Sequence, residues 1–113
     1  MQVEIWSDVV CPWCYIGKRR FERALAEFEG AGDVTVTWRS FQLNPEQPKG
    51  DPRRHDEYLA ARMGTPVEQV RQMNERLVGL AAAEGLDYHF ENYRVINTFD
   101  AHRVMHLARS LGR

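Results

Sequence analysis

Polar and apolar residues alternate over positions 2–6, with Val3 and Ile5 on one face and Glu4 and Trp6 on the other. A period of two puts successive side chains on opposite faces of a strand. Val9 and Val10 follow, so the segment predicts a strand running into a turn. From Pro12 the period lengthens. Cys14, Phe21, Leu25 and Phe28 recur at helical spacing, with Lys18, Arg19, Glu22 and Arg23 largely on the other side. Residues 29–33, with Gly30 and Gly32, carry helix-end signals. Residues 34–41, "VTVTWRSF", alternate again and are rich in β-branched and aromatic side chains, which suits a second strand. Strand, helix, strand in this order predicts a right-handed βαβ unit with parallel strands.

Beyond a proline-rich loop at residues 42–52, the pattern turns helical. A short helix is expected over residues 53–63, ending at Gly64. A longer one follows Thr65, Pro66 and Glu68, which together read as a capping box with proline in the first turn. Its apolar stripe is Val70, Met73, Leu77, Leu80 and Ala81, closed by Gly85. Residues 86–96 form an aromatic connector, partly extended. A last helix opens at Asn97 or Thr98, with Asp100 in its first turn and an apolar side of Ala101, Val104, Met105, Ala108 and Leu111.

A length of 113 residues with 43% hydrophobic content suits a single domain with a real core. The net charge of −1 gives no electrostatic footprint for nucleic acid. The N-terminus lacks the basic leader and apolar core of a signal peptide, and the longest uncharged apolar run, residues 77–83, is too short to span a bilayer. A cytoplasmic location without membrane contact is therefore expected.

That expectation changes the reading of the only two cysteines, Cys11 and Cys14, because structural disulfides are rare in the cytosol. Cys11 falls at a predicted helix start, where partial positive charge and unpaired N–H groups favour a thiolate. Cys14, three residues on, is close enough to close a disulfide. Position alone makes Cys11 the exposed, attacking sulfur and Cys14 the more buried, resolving one. A zinc site needs about four ligands, and the cysteines supply half. His55, His89, His102 and His106 are scattered; His102 and His106 share one helical face, but a solvated pair or a core contact is the commoner meaning of that spacing. No metal is expected.

Three stretches carry a family resemblance. "IWSDVVCPWCYIGKRRFERAL" resembles the start of the FrnE-like branch of the DsbA family of thiol–disulfide oxidoreductases, and "SFQLNP" and "NTFDAHRVMHLA" match the same branch in order. The resemblance implies an α/β protein: a thioredoxin-like βαβ start at residues 1–45, followed by an α-helical insertion domain at 46–113. It implies that Cys11 and Cys14 are catalytic and that Pro12 and Trp13 tune the redox potential. It places Asn97, Thr98, Asp100, His102 and Arg103 in a family motif, where capping and packing are the expected roles. Trp6, Asn97, Thr98 and His102 are the candidates for facing a substrate. No cofactor is implied beyond glutathione as a thiol co-substrate, and the partner is a thiol- or disulfide-containing protein or small molecule.

The same resemblance implies a further βα segment and a strand pair with a cis-proline facing the cysteines, and none of the prolines here sits where that residue would. The chain is thus expected to hold an incomplete thioredoxin fold. It would be an N-terminal piece of a longer protein, or a chain completed by a partner or in an oligomer. Two other functions fit the same residues. Glutathione-dependent isomerases of the 2-hydroxychromene-2-carboxylate type, and kappa-class glutathione transferases, belong to this superfamily but typically carry Ser at the position of Cys11. A non-catalytic binding module would keep reactive thiols without turnover.

Overall fold

The computed structural model describes every residue from Met1 to Arg113. The chain forms two compact units: Met1–Gln47 together with Asn97–Arg113, and Pro48–Ile96.

In the first unit, β1 (Gln2–Ser7) and β2 (Thr35–Ser40) pair in parallel, with Val3 opposite Val36 and Ile5 opposite Trp38. The connection is α1 (Pro12–Glu27), so the expected strand–helix–strand order holds. The expected stripe of α1 is only half-buried at Cys14, Phe21 and Leu25. Its one fully buried side chain is Ile16, 1% exposed and on the other side of the helix. A two-stranded sheet is too narrow to bury a whole helix face. The helix ends at Phe28, whose backbone is extended. Gly30 keeps a negative φ of −84°, so it is no left-handed cap; a Cβ there would lie 2.8 Å from the Phe28 ring, and glycine permits that close approach.

The last helix, α4 (Phe99–Ser110), belongs to this unit rather than to the segment beginning at residue 46. The division therefore differs from the boundary read from the sequence. The reason is a set of polar contacts. Asn97 Nδ2 donates to the carbonyls of Pro45 and Gln47 at 3.2 and 2.7 Å, and Arg109 donates to the Trp38 carbonyl at 3.1 Å. The expected apolar side of α4 is not its buried side: Val104, Met105 and Leu111 are exposed, and the only fully buried residue is His102. The cap at its start also differs in detail. Thr98 occupies the N-cap without a side-chain bond, while Asn97 Oδ1 accepts from the Phe99 amide at 2.9 Å.

The second unit contains β3 (Asp51–Arg54), α2 (His55–Met63), α3 (Val67–Ala83) and β4 (Arg94–Val95), with β3 and β4 antiparallel. Arg53 and Arg54, expected to be helical, are extended in β3. Gly64 closes α2 with φ 67°, a conformation that favours glycine. The capping box does not form. Pro66 takes the N-cap in extended backbone, φ −62° and ψ 148°, which moves the helix start one residue on. Thr65 then lies outside capping reach, and its buried Oγ1 has no partner. The α3 stripe is as expected: Val70, Leu77 and Ala81 are buried, and Met73 and Leu80 half-buried. Leu86, Tyr88 and Val95 complete this core. No helix is long and apolar enough to cross a membrane.

Candidate active site

The turn after β1 sets the geometry. The Cys11 amide donates to the Asp8 carbonyl at 3.2 Å, which closes residues 8–11 into a turn. Cys11 becomes the N-cap of α1 with extended backbone, φ −87° and ψ 109°, and Pro12 fills the first helical position, where its missing N–H is not needed. The Cys14 amide, one of the free donors of the first turn, reaches the Cys11 carbonyl at 3.1 Å and the Cys11 Sγ at 3.3 Å. Both cysteines are free thiols and both are half-buried, so the expected contrast between an exposed and a buried sulfur is absent.

The two thiols influence each other's acidity. Burial, followed by the Cys14 side-chain contact, pushes Cys11 up to about 11. Burial also acts upward on Cys14, but a main-chain hydrogen bond from Asp8 and side-chain bonds with Cys11 and Ser7 outweigh it, and Cys14 lies below the ordinary thiol value. The helix terminus alone would put the thiolate on Cys11. Burial at Cys11 and hydrogen bonding at Cys14 act in opposite directions on the two sulfurs.

Behind the pair lies a buried polar contact. Asp8 Oδ1 is 2.9 Å from His102 Nε2 of α4, and Asp8 Oδ2 accepts from the Leu43 amide at 2.9 Å. Asp8 and His102 are 3% and 5% exposed. Asp8, His102 and both cysteines line one cavity of about 420 Å³, whose wall also holds Lys18, Arg39, His106 and Arg109. His106 is bonded to Ser40 at 2.9 Å. Lys18 pairs with Glu22, and Arg39 with Glu4 at 2.6 Å. A second cavity, of about 450 Å³, lies in the other unit and contains no cysteine.

The sequence-derived site residues therefore separate. Cys11, Cys14 and His102 meet at one cavity. Pro12 and Trp13 are on the first turn of α1, with Trp13 49% exposed. Trp6 is 58% exposed on β1 and does not reach the cavity, where Trp38 lies instead. Asn97 holds the residue 42–47 loop, and Thr98 is buried at the start of α4 with its carbonyl accepting from the His102 amide at 3.0 Å; neither lines the cavity. Asp8, which in sequence reads as a turn residue whose charge would oppose a thiolate at Cys11, is central through its side chain. No group of three or more His, Cys, Asp or Glu could hold a metal ion.

Comparison with known proteins gives this geometry a family. The chain superposes on the crystal structure of a probable DsbA oxidoreductase from Streptomyces coelicolor with a TM-score of 0.92 and 46% identity, over 99% of this chain and 48% of that one. The uncharacterized protein YwbO of Bacillus subtilis is 40% identical over 53 residues, 46% of this chain and 24% of that protein. The chain thus spans about half the length of the solved relative and a quarter of the curated one. The DSBA-like thioredoxin domain matches residues 2–113. The fold is accordingly the thioredoxin-like fold of DsbA proteins, and the chain belongs to the family of DSBA-like thioredoxin domains.

Proposed function

We propose that this chain carries the thiol–disulfide exchange site of an oxidoreductase that acts on protein or small-molecule thiols and disulfides, glutathione among them, without a bound cofactor. The observation that carries the reading is the pair of free thiols on the first turn of α1, joined by the Cys14 N–H bond to Cys11 Sγ at 3.3 Å and set in a cavity. When the pair is oxidised, a substrate thiolate attacks Cys11 Sγ and expels Cys14 as thiolate. A second substrate thiol then attacks the mixed disulfide and expels Cys11. Two electrons pass from the substrate to the pair, and the substrate gains a disulfide. A low thiol pKa makes Cys14 the better leaving group, which directs the attack to Cys11.

Hydrogen bonds that stabilise the reduced pair make it the stronger oxidant, so the favoured direction is oxidation of substrate dithiols. Pro12 and Trp13 occupy the intervening positions and set that balance. The test is oxidation of a reduced two-cysteine peptide by the disulfide form of the protein, followed by mass. Stoichiometric peptide disulfide is expected. Cys11→Ser and Cys14→Ser should each abolish it, and full activity in either variant would refute the assignment.

A further inference from the structure

The exchange reaction moves protons as well as electrons, and the cysteine pair has a neighbour suited to receive one. His102 is buried, its Nε2 faces Asp8 Oδ1 at 2.9 Å, and its buried Nδ1 has no hydrogen-bond partner. Asp8 Oδ2 already accepts the Leu43 amide at 2.9 Å. A carboxylate accepting on both oxygens fixes the tautomer: Nε2 carries the hydrogen and Nδ1 is left as an acceptor. A buried polar atom without a partner costs about 1–3 kcal/mol and calls for a reason. Here the ring and both cysteines share the wall of one cavity.

We propose that the Asp8–His102 pair takes up the proton released by the cysteine pair and returns it during exchange. This rests on the exchange function proposed above. In the step, the S–H bond of a cysteine breaks, its electron pair stays on sulfur as the thiolate, and the proton is taken up at His102 Nδ1. The imidazolium so formed is compensated by Asp8. On the return step the same proton passes to the departing thiolate, and the ring is neutral again. His102 and Asp8 act as positioning and proton-holding residues without touching the substrate. The other charged or titrating groups facing this space are Tyr15 and Lys18 of α1, Arg39 of β2, and His106 and Arg109 of α4. Lys18 and Arg39 are engaged by Glu22 and Glu4, and His106 by Ser40, which leaves His102 as the ring in this wall with a buried nitrogen that has no partner.

The test follows reaction of the reduced protein with an aromatic disulfide, bis(3-carboxy-4-nitrophenyl) disulfide, between about pH 5 and 9. His102→Gln keeps an amide donor for Asp8 but no titrating base. It should react roughly 10²-fold more slowly near neutral pH, the low end for removal of a positioned base. It should also follow a single thiol ionisation where the wild type shows an added inflection from the ring. Superimposable pH profiles would overturn the proposal. Should His102→Gln fail to fold, the ring titration of His102 in the wild type decides by NMR. Its midpoint should differ between the dithiol and disulfide forms, and identical midpoints would overturn the proposal equally. If wild-type protein does not react with the disulfide at all, the exchange function fails, while the ring titration still reads the proton coupling by itself.

Discussion

The two units are held together by different physics. In the unit Pro48–Ile96 the buried residues are mostly apolar: Val70, Leu77 and Ala81 of α3, Ala60 of α2, and Leu86, Tyr88 and Val95. Next to them His55 stacks on Phe90 with ring centroids 5.6 Å apart and meets Tyr93 edge-on at 5.4 Å. In the unit that carries the cysteines, Ile16 is the only buried apolar residue, beside the buried polar Asp8, Gln47, Thr98 and His102. Apart from Met63, Val78 and Ile96, every exposed large hydrophobic residue lies in that second group of segments. Apolar burial is non-directional and fails gradually. Buried hydrogen bonds are directional, and losing one partner leaves the other unpaired at full cost. The unit that carries the cysteines should therefore be sensitive to single polar atoms, and the other unit to volume.

The largest expected effect is Asp8→Ala. It strips both the buried His102 Nε2 and the part-buried Leu43 amide of their acceptor. At about 1–3 kcal/mol for each unsatisfied group, chemical denaturation should report a loss of roughly 2–6 kcal/mol. Leu77→Ala, which opens a cavity in the apolar unit, should cost about 2–5 kcal/mol. It should leave thiol reactivity unchanged; a change there would break the comparison. Asn97→Ala releases the carbonyls of Pro45 and Gln47 and should cost about 1–3 kcal/mol. Arg39→Ala removes only an exposed pair with Glu4 and should lie within about 1 kcal/mol of wild type.

Acidity sharpens the contrast further. Burial holds His55 below its usual range, against a smaller upward pull from Asp56. The unfolded chain therefore takes up a proton that the folded one resists. Stability is full above the unfolded histidine value and declines as pH falls from there toward the lowered folded value. Asp56 adds in the same direction at lower pH. Burial pushes it up, but the hydrogen bond from Arg71, the Glu57 amide and Arg54 hold it below its ordinary value, and its stabilisation is lost as pH falls through the folded value. His55→Phe should keep the stacking and flatten the upper limb of a melting-temperature profile, and an unchanged limb would show that the step originates elsewhere.

Local features were the legible ones. The period-two strands, the cysteines at a helix start, and Gly64 and Gly85 as helix ends depend on residues near in sequence. The buried polar core was not legible, since Asp8 and Leu43 are 35 residues apart and Asp8 and His102 are 94 apart. The same distance hid the placement of α4: its apolar side reads as the buried one, whereas the side bearing His102, His106 and Arg109 lines the cysteine cavity and meets β2. The strand β4 is two residues long, below what alternation can signal. The surroundings of the cysteines were only partly legible, because the contacts of Asp8 and Ser7 with Cys14 come from residues ahead of the helix start.

The central claim is that exchange runs through Cys11 with Cys14 as leaving group and resolver. Trapping of the mixed disulfide tests it most directly. With a cysteine peptide disulfide as the probe, Cys14→Ser should accumulate an adduct on Cys11, identified by peptide mass, and Cys11→Ser should accumulate little. A dominant adduct on Cys14 in the second variant, with none on Cys11 in the first, would contradict the account.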